Sequence, residues 1–268
     1  MKKNTLLISF ITVLVLGVLL AGSIVIFDRE NIKAEFSNNT SLKNLNFNDD
    51  ILNDGKAVAS KEINEDIKKI NSNRFDLALV IKQGEPRVEV ISMVDKEVDL
   101  DKILEYTVKD GTLNINTKDN ISVSEFPFNK YAIAIYLEDM SDLDVEIKEL
   151  DGVLSVEDDM KTMKITSVDG VLNLNGRLEK LEITSVDGVI NIENDLSHDI
   201  SINEIDGVGN INCDFMNAKI KLDYGDGLVK VMDTPLNIFD DEKSYNRTFG
   251  EGLNIIEIGT IDGIFNID

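Results

Sequence analysis

The chain has 268 residues, 43% of them hydrophobic, and a formal charge of -23 from 27 Lys+Arg against 50 Asp+Glu. That length admits one or two domains with a core of their own. A surface this acidic excludes nucleic-acid binding and repels anionic lipid, since each such contact needs a cation, and it favours metal cations or basic peptides. Cys213 is the only cysteine, so no intramolecular disulfide can form, a pattern that fits a bacterial chain better than a secreted eukaryotic one.

Met1-Lys2-Lys3-Asn4 precedes Thr5–Phe27, 23 residues without a charge. As a helix at ~1.5 Å per residue this run reaches about 34 Å, enough for a hydrocarbon core of about 30 Å. Lys2 and Lys3 in front orient the N-terminus to the cytoplasm and the body outside. A cleaved signal peptide, with Ala21-Gly22-Ser23 as the small-residue site, is the alternative. The apolar run outlasts the usual h-region and continues through Ile24-Val25-Ile26-Phe27, which favours an uncleaved anchor over residues 1–27. Residues 28–70 are polar and Asn-rich and read as a linker or stalk, with a short helix expected over Lys61–Ile70.

From residue 71 to 268 the texture is that of short strands. Phe75–Lys82 and Arg87–Ile91 alternate apolar with polar side chains, and Tyr131–Tyr136 is a fuller apolar run that suits a buried strand. Asp-Gly pairs then recur at 151, 169, 187 and 206, at spacings of 18, 18 and 19 residues, and again at 226 and 262. Their flanks recur too. Ile165-Thr166-Ser167-Val168 and Ile183-Thr184-Ser185-Val186 precede pairs; Val171-Leu172-Asn173-Leu174 and Val189-Ile190-Asn191-Ile192 follow them. Asp110-Gly111-Thr112-Leu113-Asn114-Ile115 is an earlier echo, and the copy at Asp226 is degenerate, with Lys230 in the Asn slot. A fixed period near 20 points to stacked repeats. The expected fold is therefore all-β, a single-stranded β-solenoid of 18–20-residue coils behind a transmembrane helix. Gly would supply backbone freedom at each corner and Asp would tolerate the turn. Asp-Gly between apolar runs is also the signal for a two-residue hairpin, so a β-meander is the competing reading.

The order and period of these motifs, from Asn71–Gly84 through Asp110–Ile115, Tyr131–Leu137 and the repeats of Ile147–Cys213 to Gly250–Asn254 and Ile258–Ile267, resemble a bacterial family of adhesin-like β-strand-repeat proteins of unknown function, related to auto-transporter adhesin-head domains. The Leu-Pro pair common after the Tyr131 strand in that family is missing here. The resemblance implies a β-helical fold outside the cell, and some relatives accompany membrane-stress response systems. It offers no catalytic residues.

Little in the chain suggests catalysis. His198 is the sole histidine, and its neighbours Ser197 and Asp199 would point to opposite faces of an extended strand, so they cannot form a triad. One His and one Cys do not make a usual zinc site, and Gly225-Asp226-Gly227 and Gly250-Glu251-Gly252 lack the lysine of a phosphate loop. No catalytic, cofactor or metal residues are assigned. Stacking would place Asp151, Asp169, Asp187 and Asp206 in a column, either capping local N–H groups or weakly binding a divalent cation. Phe126-Pro127-Phe128 reads as an end cap or an aromatic anchor for a partner. Asn114, Asn173, Asn191, Asn210 and Asn266 would form a hydrogen-bonded ladder or contact polar polymers such as glycans. The expected role is a non-enzymatic adhesin-like scaffold of the cell envelope, membrane-bound through its N-terminal helix. Its partners would be an envelope protein, a polymer or a cationic peptide outside the cell. The alternative is an envelope-stress sensor that captures cationic peptides on its acidic face.

Overall fold

The computed structural model describes residues 51–268, apart from 52–53, 95–96, 120, 122–125, 128–129, 194–198, 213–216, 224–226, 233, 237–243 and 268. The alternating Ile, Leu and Val positions resolve into short strands. The chain opens with β1 (Lys56–Glu62), β2 (Lys69–Phe75), β3 (Ala78–Gln83) and β4 (Arg87–Ser92). A single helical turn, α1 (Leu100–Ile103), leads into β5 (Leu104–Lys109), β6 (Thr112–Thr117) and β7 (Tyr131–Leu137). Strand pairs then flank the Asp-Gly corners: β8 (Asp144–Leu150) with β9 (Val153–Val156), β10 (Met160–Val168) with β11 (Val171–Leu174), β12 (Leu178–Val186) with β13 (Val189–Glu193), and β14 (Asp199–Ile205) with β15 (Val208–Asn212). The chain ends with β16 (Ala218–Asp223), β17 (Leu228–Val231), β18 (Thr234–Pro235), β19 (Ser244–Thr248), β20 (Asn254–Ile261) and β21 (Ile264–Ile267).

These strands form two large sheets. One has 11 strands in the order β1-β4-β7-β3-β9-β11-β13-β15-β21-β17-β18, the other 10 in the order β19-β16-β20-β14-β12-β10-β8-β2-β6-β5. The repeat texts lie over one another in parallel register: Leu172 opposite Ile190, Asn173 opposite Asn191, Ile165 opposite Ile183. Leu172, Leu174, Ile190 and Ile192 from the first sheet and Ile165, Val168, Ile183 and Val186 from the second bury one shared core.

The single-stranded solenoid expected over residues 71–268 is nevertheless not what forms. Both sheets are mixed, and the two faces pack like a sandwich. β4 runs antiparallel to β1 and to β7, β5 to β6, β16 to β19, and β17 to β18. The rungs are also out of chain order: β2 and β3 sit inside β6 and β7, while β20 and β21 sit inside β16 and β17. The physical reason is the sheet edge. A simple coil would leave both terminal ladders open to other chains, and here returning and antiparallel strands occupy those ends.

The transmembrane helix expected over residues 1–27 is not among the elements described. Among the described residues no helix is long and apolar enough to cross a membrane, and residues 1–27, with most of the 28–70 linker, lie outside the described residues. The helix expected over Lys61–Ile70 is absent, because β1 and β2 take up both of its ends.

Two kinds of Asp-Gly pair occur. Asp110 and Gly111 are both left-handed, at φ 51 and 71, and join β5 to β6 as a two-residue hairpin. At the stacked corners the glycines are needed for close approach instead. A Cβ on Gly170 would lie 1.8 Å from the Gly152 carbonyl oxygen, and one on Gly188 2.0 Å from that of Gly170.

Candidate functional site

The hairpin at Asp110-Gly111 sets up the most distinctive polar feature of the surface. β6 pairs with β2 only from Lys69 to Asn71, whereas β8 pairs with β2 along its length, from Lys69 to Phe75. Past Asn71 the two strands part, and side chains replace the backbone ladder. Asn73 donates its N–H to Asn116 Oδ1 at 2.7 Å, and Asp76 donates its N–H to Thr117 Oγ1 at 3.1 Å. Across β6, β2 and β8 lies a cleft of about 270 Å³, lined by Asn71, Ser72, Asn73, Asn114, Asn116, Glu146 and Lys148. At ~30 Å³ per water it is large enough for about nine waters, or one sugar-sized group.

Asn71 Nδ2 donates to Asn114 Oδ1 at 3.4 Å, but Asn71 Oδ1 is buried and accepts no hydrogen bond. Ser72 Oγ, in the row of Ile147, is buried and unpartnered too. Buried acceptors are normally satisfied, and each left open costs about 1–3 kcal/mol. Glu146 is held by Lys69 at 2.9 Å. The hydrogen bond and charge of Lys69, aided by Lys164 and Lys148, lower its pKa below the usual carboxylate range. The site thus offers amide donors and acceptors, one paired carboxylate and an exposed ammonium. It holds no nucleophile–base pair.

Stacking does bring the corner carboxylates into a column. Asp76, Asp151, Asp169, Asp187, Asp206 and Asp262 occupy successive rungs, since the residues just before them pair in register. Arg74 closes one end, reaching Asp76 Oδ1 at 2.7 Å and Asp151 Oδ2 at 3.1 Å. Desolvation first, then Asp187 and Asp151, push the Asp169 pKa up. Among the described residues, no three Asp, Glu, His or Cys side chains converge as a metal would require.

The asparagine series divides. Asn191 donates to Asn173 Oδ1 and Asn210 to Asn191 Oδ1, both at 2.9 Å, with Asn266 next in register. Asn114 belongs to the opposite sheet and to the cleft, although Thr112–Ile115 mimics the text that follows a stacked Asp-Gly. Phe126 packs edge-on against Tyr131, ring centroids 5.2 Å apart, and is half-buried on the core. Phe128, Ser197, His198, Cys213 and Asp226 lie outside the described residues. Sequence reasoning missed the cleft because its lining comes from three separated strands. The clustered asparagines at 71, 73, 114 and 116 were the available signal.

No protein-family model matches the chain, and no curated protein matches it. Several solved structures are similar in outline. A provisionally assigned cell adhesion protein from Clostridium sporogenes is 20% identical with a TM-score of 0.38, over 80% of this chain and 98% of that one. A provisionally assigned adhesin from Bacteroides fragilis is 12% identical at 0.42, over 78% and 96%. A provisionally assigned lipid binding protein from Parabacteroides distasonis is 12% identical at 0.31, over 78% and 96%. Likenesses this distant carry no weight for the role of this chain.

Proposed function

We propose that this chain is a non-enzymatic, adhesin-like binding module working outside the cell, and that the asparagine cleft holds its ligand, a hydroxyl-rich polymer such as a glycan. The observation that carries the reading is the buried, unpartnered Asn71 Oδ1 in a cleft with three further asparagines. A carboxamide presents a donor and an acceptor side by side, and neighbouring sugar hydroxyls can answer both. No aromatic ring lines the cleft, so stacking adds nothing and affinity per site is expected in the millimolar range, about -4 kcal/mol.

A second reading, capture of cationic peptides, is favoured by the aspartate column and the raised pKa of Asp169. One experiment separates the two. The full chain is screened against a glycan array and a polylysine peptide at low salt and again at about 0.5 M salt, where screening reaches only a few ångströms. Glycan binding that survives salt and falls about 3–10-fold in Asn71→Ala, with the melting curve unchanged, supports the cleft. Peptide binding that vanishes in salt, with an empty array, would replace the first reading with the second.

A further inference from the structure

Within the lining of the cleft, one of the two charged side chains is left without an ion-pair partner among the described residues. Glu146, the one carboxylate in the lining, is taken by Lys69 at 2.9 Å. Glu149, the residue after Lys148, faces Arg74 across the β2–β8 ladder, and Arg74 also binds Asp76 and Asp151. Lys148 is exposed, lines the cleft, and makes no ion pair within 4.0 Å among the described residues. The lining itself carries one acid and one base, Glu146 and Lys148, and of the two only Lys148 has no such partner among the described residues.

We infer that the ligand class of this cleft is an acidic saccharide of the uronic-acid type, its hydroxyls on the asparagine amides and its carboxylate on Lys148. This rests on the reading of the cleft as a glycan site. The amides fix the sugar's hydroxyl pattern, and the ammonium makes to a carboxylate an ion-paired hydrogen bond stronger than the one it can make to a neutral hydroxyl. Glu146 is hydrogen-bonded to Lys69 and meets Lys148 only through space, which leaves the Lys148 donors for a ligand.

The test uses the full chain, a short galacturonate oligomer, and the same oligomer with its carboxyl groups methyl-esterified, titrated calorimetrically at about 0.15 M salt. The acid form is expected to bind about tenfold more tightly than the ester. Lys148→Gln should bring the acid form down to the ester's affinity and leave the ester unchanged, while Asn114→Ala should weaken both. Equal binding of acid and ester, or a Lys148→Gln variant that weakens both alike, overturns the acidic class but leaves a sugar-binding cleft. Failure of both oligomers to bind a correctly melting protein overturns the acidic class together with the cleft as a sugar site. A sulfated neutral oligomer binding where the galacturonate does not would also overturn it, by assigning the ammonium to a different anion.

Discussion

Gly209 stands in the core row that Leu172 and Ile190 fill in earlier rungs, and Phe265 faces it from the next. A Cβ on Gly209 would come within 2.2 Å of two carbons of that ring, so the smallest and one of the largest core side chains share one allotment of volume. Interiors packed to crystal density do not absorb such a change. Gly209→Ile is expected to cost about 1–3 kcal/mol by overpacking, and Phe265→Ile about 1–2 kcal/mol through the void it leaves. The double variant should lose much less than the sum, with a coupling of about 1–3 kcal/mol in urea melts; strictly additive losses would show that the two do not share space. Asp169 gives a second prediction at this scale. Its folded pKa is raised, so between the ordinary aspartate value and that raised value the native state binds more protons than the unfolded one. Its contribution to stability therefore falls as pH rises through that window. Asp169→Asn should raise the melting temperature near about pH 7 and lose that advantage below about pH 4, where the wild-type carboxyl is protonated. An advantage constant across that range would point to turn preference rather than charge.

At the scale of strands, stack order departs from chain order. β20 and β21, the last rung in sequence, are inserted between β14/β15 and β16/β17. Ile256 and Ile258 pair with Ile200 and Ile202 on one side and with Ile220 and Leu222 on the other. Deleting residues 250–268 therefore removes an interior rung, not a dispensable tail, and exposes apolar rows of both neighbours. The truncated chain is expected to lose β16 and β17 as ordered strands and to aggregate. Protection of the Ile220 and Val229 amides from hydrogen exchange would report this, and full protection in the truncated chain would contradict the inserted rung. The same feature marks what the sequence could tell. Repeat texts announced parallel stacking wherever like residues gain by lying in register, as Asn173, Asn191 and Asn210 do. Chain text carries no record of which rung lies next when a long connection allows either, so Asp262, and not the next Asp-Gly pair in the chain, takes the place beside Asp206. Thr112–Ile115 misled for a local reason: a hairpin with two left-handed residues sends the same text into the other sheet. The cleft depends on that diversion, so the site was legible only as an unexplained excess of asparagine.

For the whole molecule the question is whether local ion pairs or net charge decides the response to salt. Acidic and basic residues alternate across the second sheet: Glu146 beside Lys164, which reaches Glu182 at 3.9 Å, and Lys221 beside Glu257. In the turns that join β9 to β10 and β11 to β12, Arg177 holds Asp159 at 2.8 Å. These pairs are largely exposed, and each is worth about 0–1 kcal/mol at best. Against them stands an excess of 23 negative charges, whose mutual repulsion weakens the compact state at long range. Raising ionic strength from about 0.01 M to 0.15 M shortens the screening length from about 30 Å to 8 Å. That removes repulsion between distant rungs but only partly weakens contacts at 3–4 Å. The melting temperature should therefore rise by a few degrees over that range, each kcal/mol being worth about 2–4 °C for a chain of this size. A fall instead would mean that the alternating ladder, and not the net charge, sets the electrostatic stability of the stack.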